Sequence, residues 1–295
     1  MTDETYRDSD AFQVVGIRRM PQQEAEKTKR HRNKPMLSAV LLFVIVAGCL
    51  CCELVMTKDP LYLDLSNCTV PPNAEFFFGT DTLGRDIFSM VWYGGRISLL
   101  IGALAAGIST GIAVVFGAVS GCAPAWADLL LMRFTEILLS VPGILIVLLI
   151  QAALGKATVP GISAAIGITS WMSMAKMIRT EVRQIRGSEY VLASRCMGGS
   201  FFHILRKHLA PNFMPSVLFI AVMNIRSAIT YEAALSFMGL GLPVEVVSWG
   251  SMLSLSEQAL FSGAWWMILV PGAFLVVTLV CMTDLCEKSL TPKSY

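Results

Sequence analysis

The sequence is poor in charge. Only 15% of its 295 residues are Asp, Glu, Lys or Arg, against 55% hydrophobic, and the mean hydropathy is +0.63. Soluble domains carry about 25% charged residues, so the solvent for most of this chain is expected to be lipid. The formal net charge is +2, too small for the field that draws a chain to nucleic acid. There are only three histidines, His31, His203 and His208, and none falls in an apolar run. No HExxH zinc motif is present, and no nucleophile elbow of the G-x-S-x-G kind is expected, which argues against an enzyme working inside the membrane. The chain also lacks a G-x-x-x-x-G-K-[ST] loop to cradle nucleotide phosphates, so any ATP chemistry must belong to another chain. No internal inverted repeat is evident, which argues against an ATP-independent carrier or channel.

Cysteine is present but sparse outside apolar sequence. Of the eight, Cys49, Cys51, Cys52, Cys68, Cys122, Cys196, Cys281 and Cys286, only Cys68 falls in a segment expected on the external side of the membrane. An extracellular disulfide framework is therefore excluded, and the rest read as small hydrophobes. The run "CLCC" at 49–52 has no visible partner set for a metal. "VAGC" at 46–49 has the form of a lipoprotein cleavage box, but the region before it is too long for a usual signal peptide. It is read as an uncleaved first span.

What the chain does have is long apolar runs. Six approach or exceed the 20 or so residues that a helix needs to cross hydrocarbon: 36–56, 96–121, 129–154, 159–178, 213–238 and 264–282. They lack the alternation of a barrel strand. The expected fold is an all-α integral membrane protein with six transmembrane helices. Residues 1–35 form a basic arm and 36–56 the first span. Residues 57–95 form an external loop, 96–285 a five-helix core and 286–295 a tail. Basic residues crowd the arm, the connection after span four (Arg179, Arg183, Arg186, Arg195, Arg206 and Lys207) and the tail, while Thr57–Phe88 is net acidic. Both termini are then cytoplasmic. Pro142 predicts a kink in span three. Gly102, Gly107, Gly111, Gly117 and Gly121 punctuate span two, a pattern that permits close helix contact.

One polar stretch, "SEYVLASRCMGGSFFHILRKHLAPN" from Ser188 to Asn212, interrupts the membrane pattern on the cytoplasmic side. Ser188 is suited to cap a helix in which Tyr190, Ala193 and Met197 share a face. Gly198 and Gly199 end it, one in a left-handed cap. Ser200 begins a second helix that Pro211 stops. Helices at this level either rest on lipid or dock a cytoplasmic partner, and local chemistry leaves both open.

The stretch is similar to the cytoplasmic-loop signature of bacterial ABC-importer permeases, with Ala193, Gly198 and Pro211 in the signature places. Ser194 replaces the second alanine. "FGTDTLGRDIFSMVWYGGRISL" (Phe78–Leu99) and "EAALSFMGLGLPVEVVSWGSML" (Glu232–Leu253) resemble two further signatures of the dipeptide, oligopeptide and nickel permeases. The subunit resembled is the second, C-type permease. Met90 departs from the arginine usual there, and Glu287 and Lys288 depart from the family's ending.

The resemblance implies the type I importer architecture in a bacterial cytoplasmic membrane. It also implies a heterodimer with a second permease, two cytoplasmic ATPases that carry ATP and magnesium, an external solute-binding protein, and no cofactor on this chain. The cytoplasmic stretch, 188–210, would be the coupling helix, with Glu189, Tyr190, Ala193, Ser194, Arg195, Gly198, Gly199 and Ser200 facing the ATPase. Gly79, Thr80, Asp81, Gly84, Arg85, Asp86 and Arg96 carry the external signature. Peptides are the expected cargo, with chelated nickel or another metal chelate as the alternative.

Arg226 and Glu232 lie within span five, where an ionisable group is costly and faces protein or water. They are six residues apart, so they do not share a face. Each is expected to meet another span or subunit, as anchor, gate or path. Asn224, Trp171 and Met174 are further path candidates that suit core packing equally well.

Overall fold

The computed structural model describes residues 36–155, 157–198, 210–243, 245–257, 259 and 263–289. The N-terminal arm, Gly199, Ser200, the second short helix after it and the end of the tail lie outside the described residues. All regular structure described is helical, apart from one antiparallel bridge between Thr80 and Asp86.

The chain runs through α1 (Met36–Leu50), α2 (Cys52–Val55), α3 (Ile87–Cys122), α4 (Ala125–Leu139), α5 (Gly143–Leu154), α6 (Val159–Arg186), α7 (Glu189–Cys196), α8 (Ala210–Phe237), α9 (Trp249–Ser256) and α10 (Trp266–Ser289). By length and composition, α3, α8 and α10 are each sufficient to cross a membrane. The pair α4 and α5 makes a fourth crossing if taken as one span, bent by 80°. The bend falls at Ser140–Pro142, where proline was expected to kink the helix. By this measure three or four of the expected six crossings are established among the described residues. The remaining two runs fall short for separate reasons. Helix α1 has 15 residues, about 22 Å at 1.5 Å per residue. Helix α6 has 28 residues, but Ser163, Thr169, Ser170 and Ser173 dilute its apolar stretch, and Lys176, Arg179, Arg183 and Arg186 charge its end.

Helix α3 is the central post. Asp86 caps it by accepting from the Ser89 amide, so the helix starts at Ile87, nine residues before the expected boundary at Arg96. Its small residues let two neighbours close in. A methyl group added at Gly117 would lie 2.7 Å from the Ala175 carbonyl of α6, and one at Gly102 would lie 2.9 Å from Ile229 of α8. Gly121 meets Val182 just as closely, whereas Gly107 and Gly111 face open space. The expected packing role therefore holds for three of the five glycines.

Three apolar clusters are strung along this post. Near its start, Cys49, Ile87, Met90, Val91, Trp249 and Met267 are buried together. Further along, Ile101 and Ala105 meet Val147, Ile166 and Leu235. At its end, Ala113 packs with Trp171, Met174, Ile178, Val182 and Val191. In lipid such contacts stabilise through packing rather than water exclusion, which is why the small residues of α3 matter.

Candidate functional site

The external signature folds into one buried turn. Asp81 accepts the backbone amides of Leu83 and Arg85 on Oδ1, at 2.9 and 2.8 Å, and the Arg85 Nε on Oδ2 at 2.7 Å. Both side chains of this ion pair are about 95% or more buried. The Thr80 hydroxyl donates to the Asn67 carbonyl and accepts the Val70 amide. Trp266 at the start of α10 donates its indole N–H to the Thr80 carbonyl at 3.2 Å. Asp86 also accepts from the Thr57 hydroxyl, and Ser89 accepts the amides of Thr57 and Lys58. The turn thus ties the end of α2, the start of α3 and the start of α10.

Its two glycines are sterically required. Gly84 has φ +76°, and a methyl group there would lie 1.7 Å from the Asp64 carbonyl. Gly79, with the same φ, has the Val70 carbonyl at 2.6 Å from that position. Asp64 itself caps a short 3-10 turn, Leu65–Asn67. Hydrogen bonds from the Ser66 and Asn67 side chains hold its carboxyl below the usual carboxylate range. Arg96 stands apart from the turn, half exposed and 3.8 Å from Glu53.

A second buried centre surrounds Glu232, which has no exposed surface. Its Oε1 accepts from Ser248 at 2.7 Å and from Ser236 at 2.9 Å, and its Oε2 accepts from Ser98 at 3.3 Å. Ser248 is the N-cap of α9 and forms a capping box with Ser251. The Trp249 amide donates to Ser98, and its indole donates to the Val91 carbonyl. One carboxylate therefore joins α3, α8 and α9. The expected meeting of Glu232 with another span is present, but its partners are serines, which nothing in the sequence distinguishes from their neighbours.

Asn224 is also engaged. It donates to Ser109 of α3 at 3.0 Å and lies 3.7 Å from the Met174 sulfur of α6. Trp171 stacks obliquely on Phe116, with centroids 4.6 Å apart. Trp171 and Met174 are both buried in the cluster at the end of α3. The letters G-x-S-x-G do occur here, as Gly107-Ile108-Ser109-Thr110-Gly111, contrary to the sequence-based expectation. They lie inside the continuous helix α3, with Ser109 donating to the Ala106 carbonyl. No strand-to-helix elbow is formed.

Arg226 differs from all of these. Among the described residues its Nε is buried with no hydrogen-bond partner, and no ion pair reaches it. Thr230, one turn on, donates to the Arg226 carbonyl and is exposed. Arg226, Ser227 and Thr230 thus put polar groups on an incompletely covered side of a helix long and apolar enough to span.

On the polar stretch, α7 buries Val191 and Ser194 and exposes Cys196, and Met197 and Gly198 in the turn after it are exposed. The Ser188 hydroxyl donates to the Ile185 carbonyl and closes the last turn of α6. Gly198 has φ +83°, the left-handed cap that the Gly-Gly pair predicts. Pro211 lies at the start of the described part of α8, and the short helix expected before it falls outside the described residues. Among the described residues, no group of three His, Cys, Asp or Glu side chains is arranged to hold a metal.

Comparison with known proteins places these features. Residues 113–292 match the family described as binding-protein-dependent transport system inner membrane component. The dipeptide transport system permease protein DppC of Bacillus subtilis is 38% identical over 235 residues, 78% of this chain and 72% of the relative. The oligopeptide transport system permease protein OppC of the same organism is 36% identical over 267 residues, 90% and 87% respectively. The D,D-dipeptide permease DdpC of Escherichia coli, whose assignment is itself given as probable, is 32% identical over 82% of this chain and 81% of the relative. A chain of the MetNI methionine ABC transporter shares the fold, with a TM-score of 0.56 at 15% identity over 69% of this chain and 97% of that one. With its apolar helices, its buried signature turn and a match over more than half its length, this multi-pass membrane protein belongs to the binding-protein-dependent transport system inner membrane component family.

Proposed function

We propose that the chain is the second transmembrane subunit of an ATP-driven importer that moves peptides delivered by an external solute-binding protein. The observation that carries this is the identity to an oligopeptide permease, 36% over nine tenths of the chain. In this reading α1 with α2, α3, the bent pair α4–α5, α6, α8 and α10 are six crossings with both termini in the cytoplasm. Helix α6, at 28 residues, is about 42 Å long, which is ample for a crossing with a polar end. The basic residues at that end, Arg179, Arg183 and Arg186, agree with a cytoplasmic exit.

Partners supply what the chain lacks. A second permease completes the path, and two ATPases hold ATP and magnesium. Helix α7 docks the ATPase through the face that Glu189, Tyr190, Ala193 and Met197 occupy by spacing, while Val191 and Ser194 are buried. Arg195, Gly198, Gly199 and Ser200 complete that contact. Met197 is 82% exposed, which suits a knob awaiting a groove.

Within the membrane, Arg226 lines the path or its seam with the second permease, because its buried Nε finds no partner among the described residues and a charged group at that depth needs one. Glu232 is the anchor of the outer end, holding α9 against α3 and α8. Asn224, Trp171 and Met174 serve packing. The test is uptake into vesicles that hold the assembled importer and its binding protein. A labelled dipeptide is expected to accumulate with ATP. Accumulation of a nickel chelate in place of peptide would overturn the cargo assignment.

A further inference from the structure

Helices α4 and α6 flank an open cavity of about 530 Å³ that none of the motifs uses. It is lined by four cations, Arg133, Lys176, Arg179 and Arg183, and by two carboxylates, Asp128 and Glu136. The carboxylates are already occupied. Asp128 accepts from Ser120 and the Arg179 Nε on Oδ1, at 2.7 and 2.6 Å. On Oδ2 it accepts from the Arg179 Nη2 and from Arg183 at 2.8 Å. Glu136 is shared between Arg133 at 3.0 Å and Lys176 at 3.4 Å. The cations keep donors to spare. Arg183 commits one nitrogen to Asp128 and is half exposed, and Lys176 has one long contact. Four positive charges against two negative leave a net charge of +2 around a space that accepts an anion.

The surroundings say which anion. Helix α4 exposes Trp126, Leu129, Leu130, Phe134 and Ile137, an apolar surface suited to acyl chains. Trp126, in the first turn, is of the type that settles at the level of lipid headgroups. Leu129 itself lines the cavity beside the cations, so an acyl chain leaving it would continue along α4.

We propose that this cavity is a binding site for the headgroup of an acidic phospholipid, its phosphodiester held by Lys176 and Arg183 while Asp128 fixes Arg179 and Arg183 in place. Basic pockets between membrane helices suit such headgroups. The assignment does not depend on the cargo or on the ATPase.

The test uses the full chain in its assembled complex, in phosphatidylcholine nanodiscs with and without phosphatidylglycerol, with retained lipid read by native mass spectrometry. The wild-type complex is expected to retain phosphatidylglycerol over phosphatidylcholine. Lys176→Gln with Arg183→Gln is expected to lose about tenfold or more of that preference, while Lys176→Arg with Arg183→Lys keeps it. Equal retention of the two lipids by the wild type would overturn the proposal, whatever the variants do. So would displacement of the lipid by millimolar inorganic phosphate, which would make this a site for a free anion. Release of the ATPase from the glutamine variant with lipid retention unchanged would show instead that the cavity receives an acidic segment of that partner.

Discussion

The Oε1 atom of Glu232 accepts a hydrogen bond from the Ser248 hydroxyl at 2.7 Å, and Ser248 is the residue that begins α9. A carboxylate in a spanning helix and the cap of a short helix are thus one unit. Ser98 and Ser236 complete it. Replacing Glu232 with alanine removes the acceptor for three buried hydroxyls. The expected cost is on the order of 3 kcal/mol, read as a lower melting temperature of the purified chain. Glu232→Gln keeps an acceptor oxygen and is expected to cost less. Equal, negligible effects of the two would contradict an anchoring role.

The Asp81–Arg85 pair gives a second test. Removing one member of a buried pair costs roughly 3–5 kcal/mol, whereas removing both costs less than the sum. Arg85→Met leaves the Asp81 Oδ2 without its charged partner and is expected to destabilise strongly. Asp81→Asn keeps an oxygen for the Leu83 and Arg85 amides and is expected to be milder. The double variant should recover part of the loss in a denaturation cycle. Arg96→Gln, at an exposed position, should change stability by no more than about 0.5 kcal/mol.

Much of this turn was legible in advance, and the reason it was misplaced is informative. Asp86 followed three residues later by Ser89 is a helix-start pattern, yet the same residues belong to a motif that reads as loop. The motif is both: its loop ends by capping α3. Other features left no trace in the sequence. Gly107 and Gly111 look identical to Gly102 and Gly117, but only the latter pair touches a neighbour, because helical phase against α6 and α8 decides. Asp128 escaped notice because its partners, Arg179 and Arg183, are 51 and 55 residues away. The Gly198 cap, by contrast, is local chemistry, and it was read correctly.

Gly198 tests the docking of α7. Its positive φ is strained for any side chain, although nothing among the described residues lies within 4 Å of an added methyl group. Gly198→Val should therefore leave the spanning helices folded, with a local cost of about 1–2 kcal/mol at the corner. Co-purification of the ATPases is expected to fall. Normal recovery of ATPase with the valine variant would remove α7 from the coupling role.

Arg226→Met should separate transport from assembly. The Nε loses no hydrogen bond among the described residues, so stability of the chain is expected to change by less than about 1 kcal/mol. Peptide uptake is expected to fall at least tenfold with the complex intact. Uptake at the wild-type rate would make Arg226 a packing residue.

The central claim is that this chain moves peptide only when another chain hydrolyses ATP. The direct measurement is labelled-dipeptide uptake by proteoliposomes containing this subunit with its permease partner, ATPases and binding protein, compared with the same vesicles lacking the ATPases. Concentrative uptake that requires ATP and vanishes without the ATPases is the predicted result. Peptide accumulation by vesicles that hold no ATPase would contradict it.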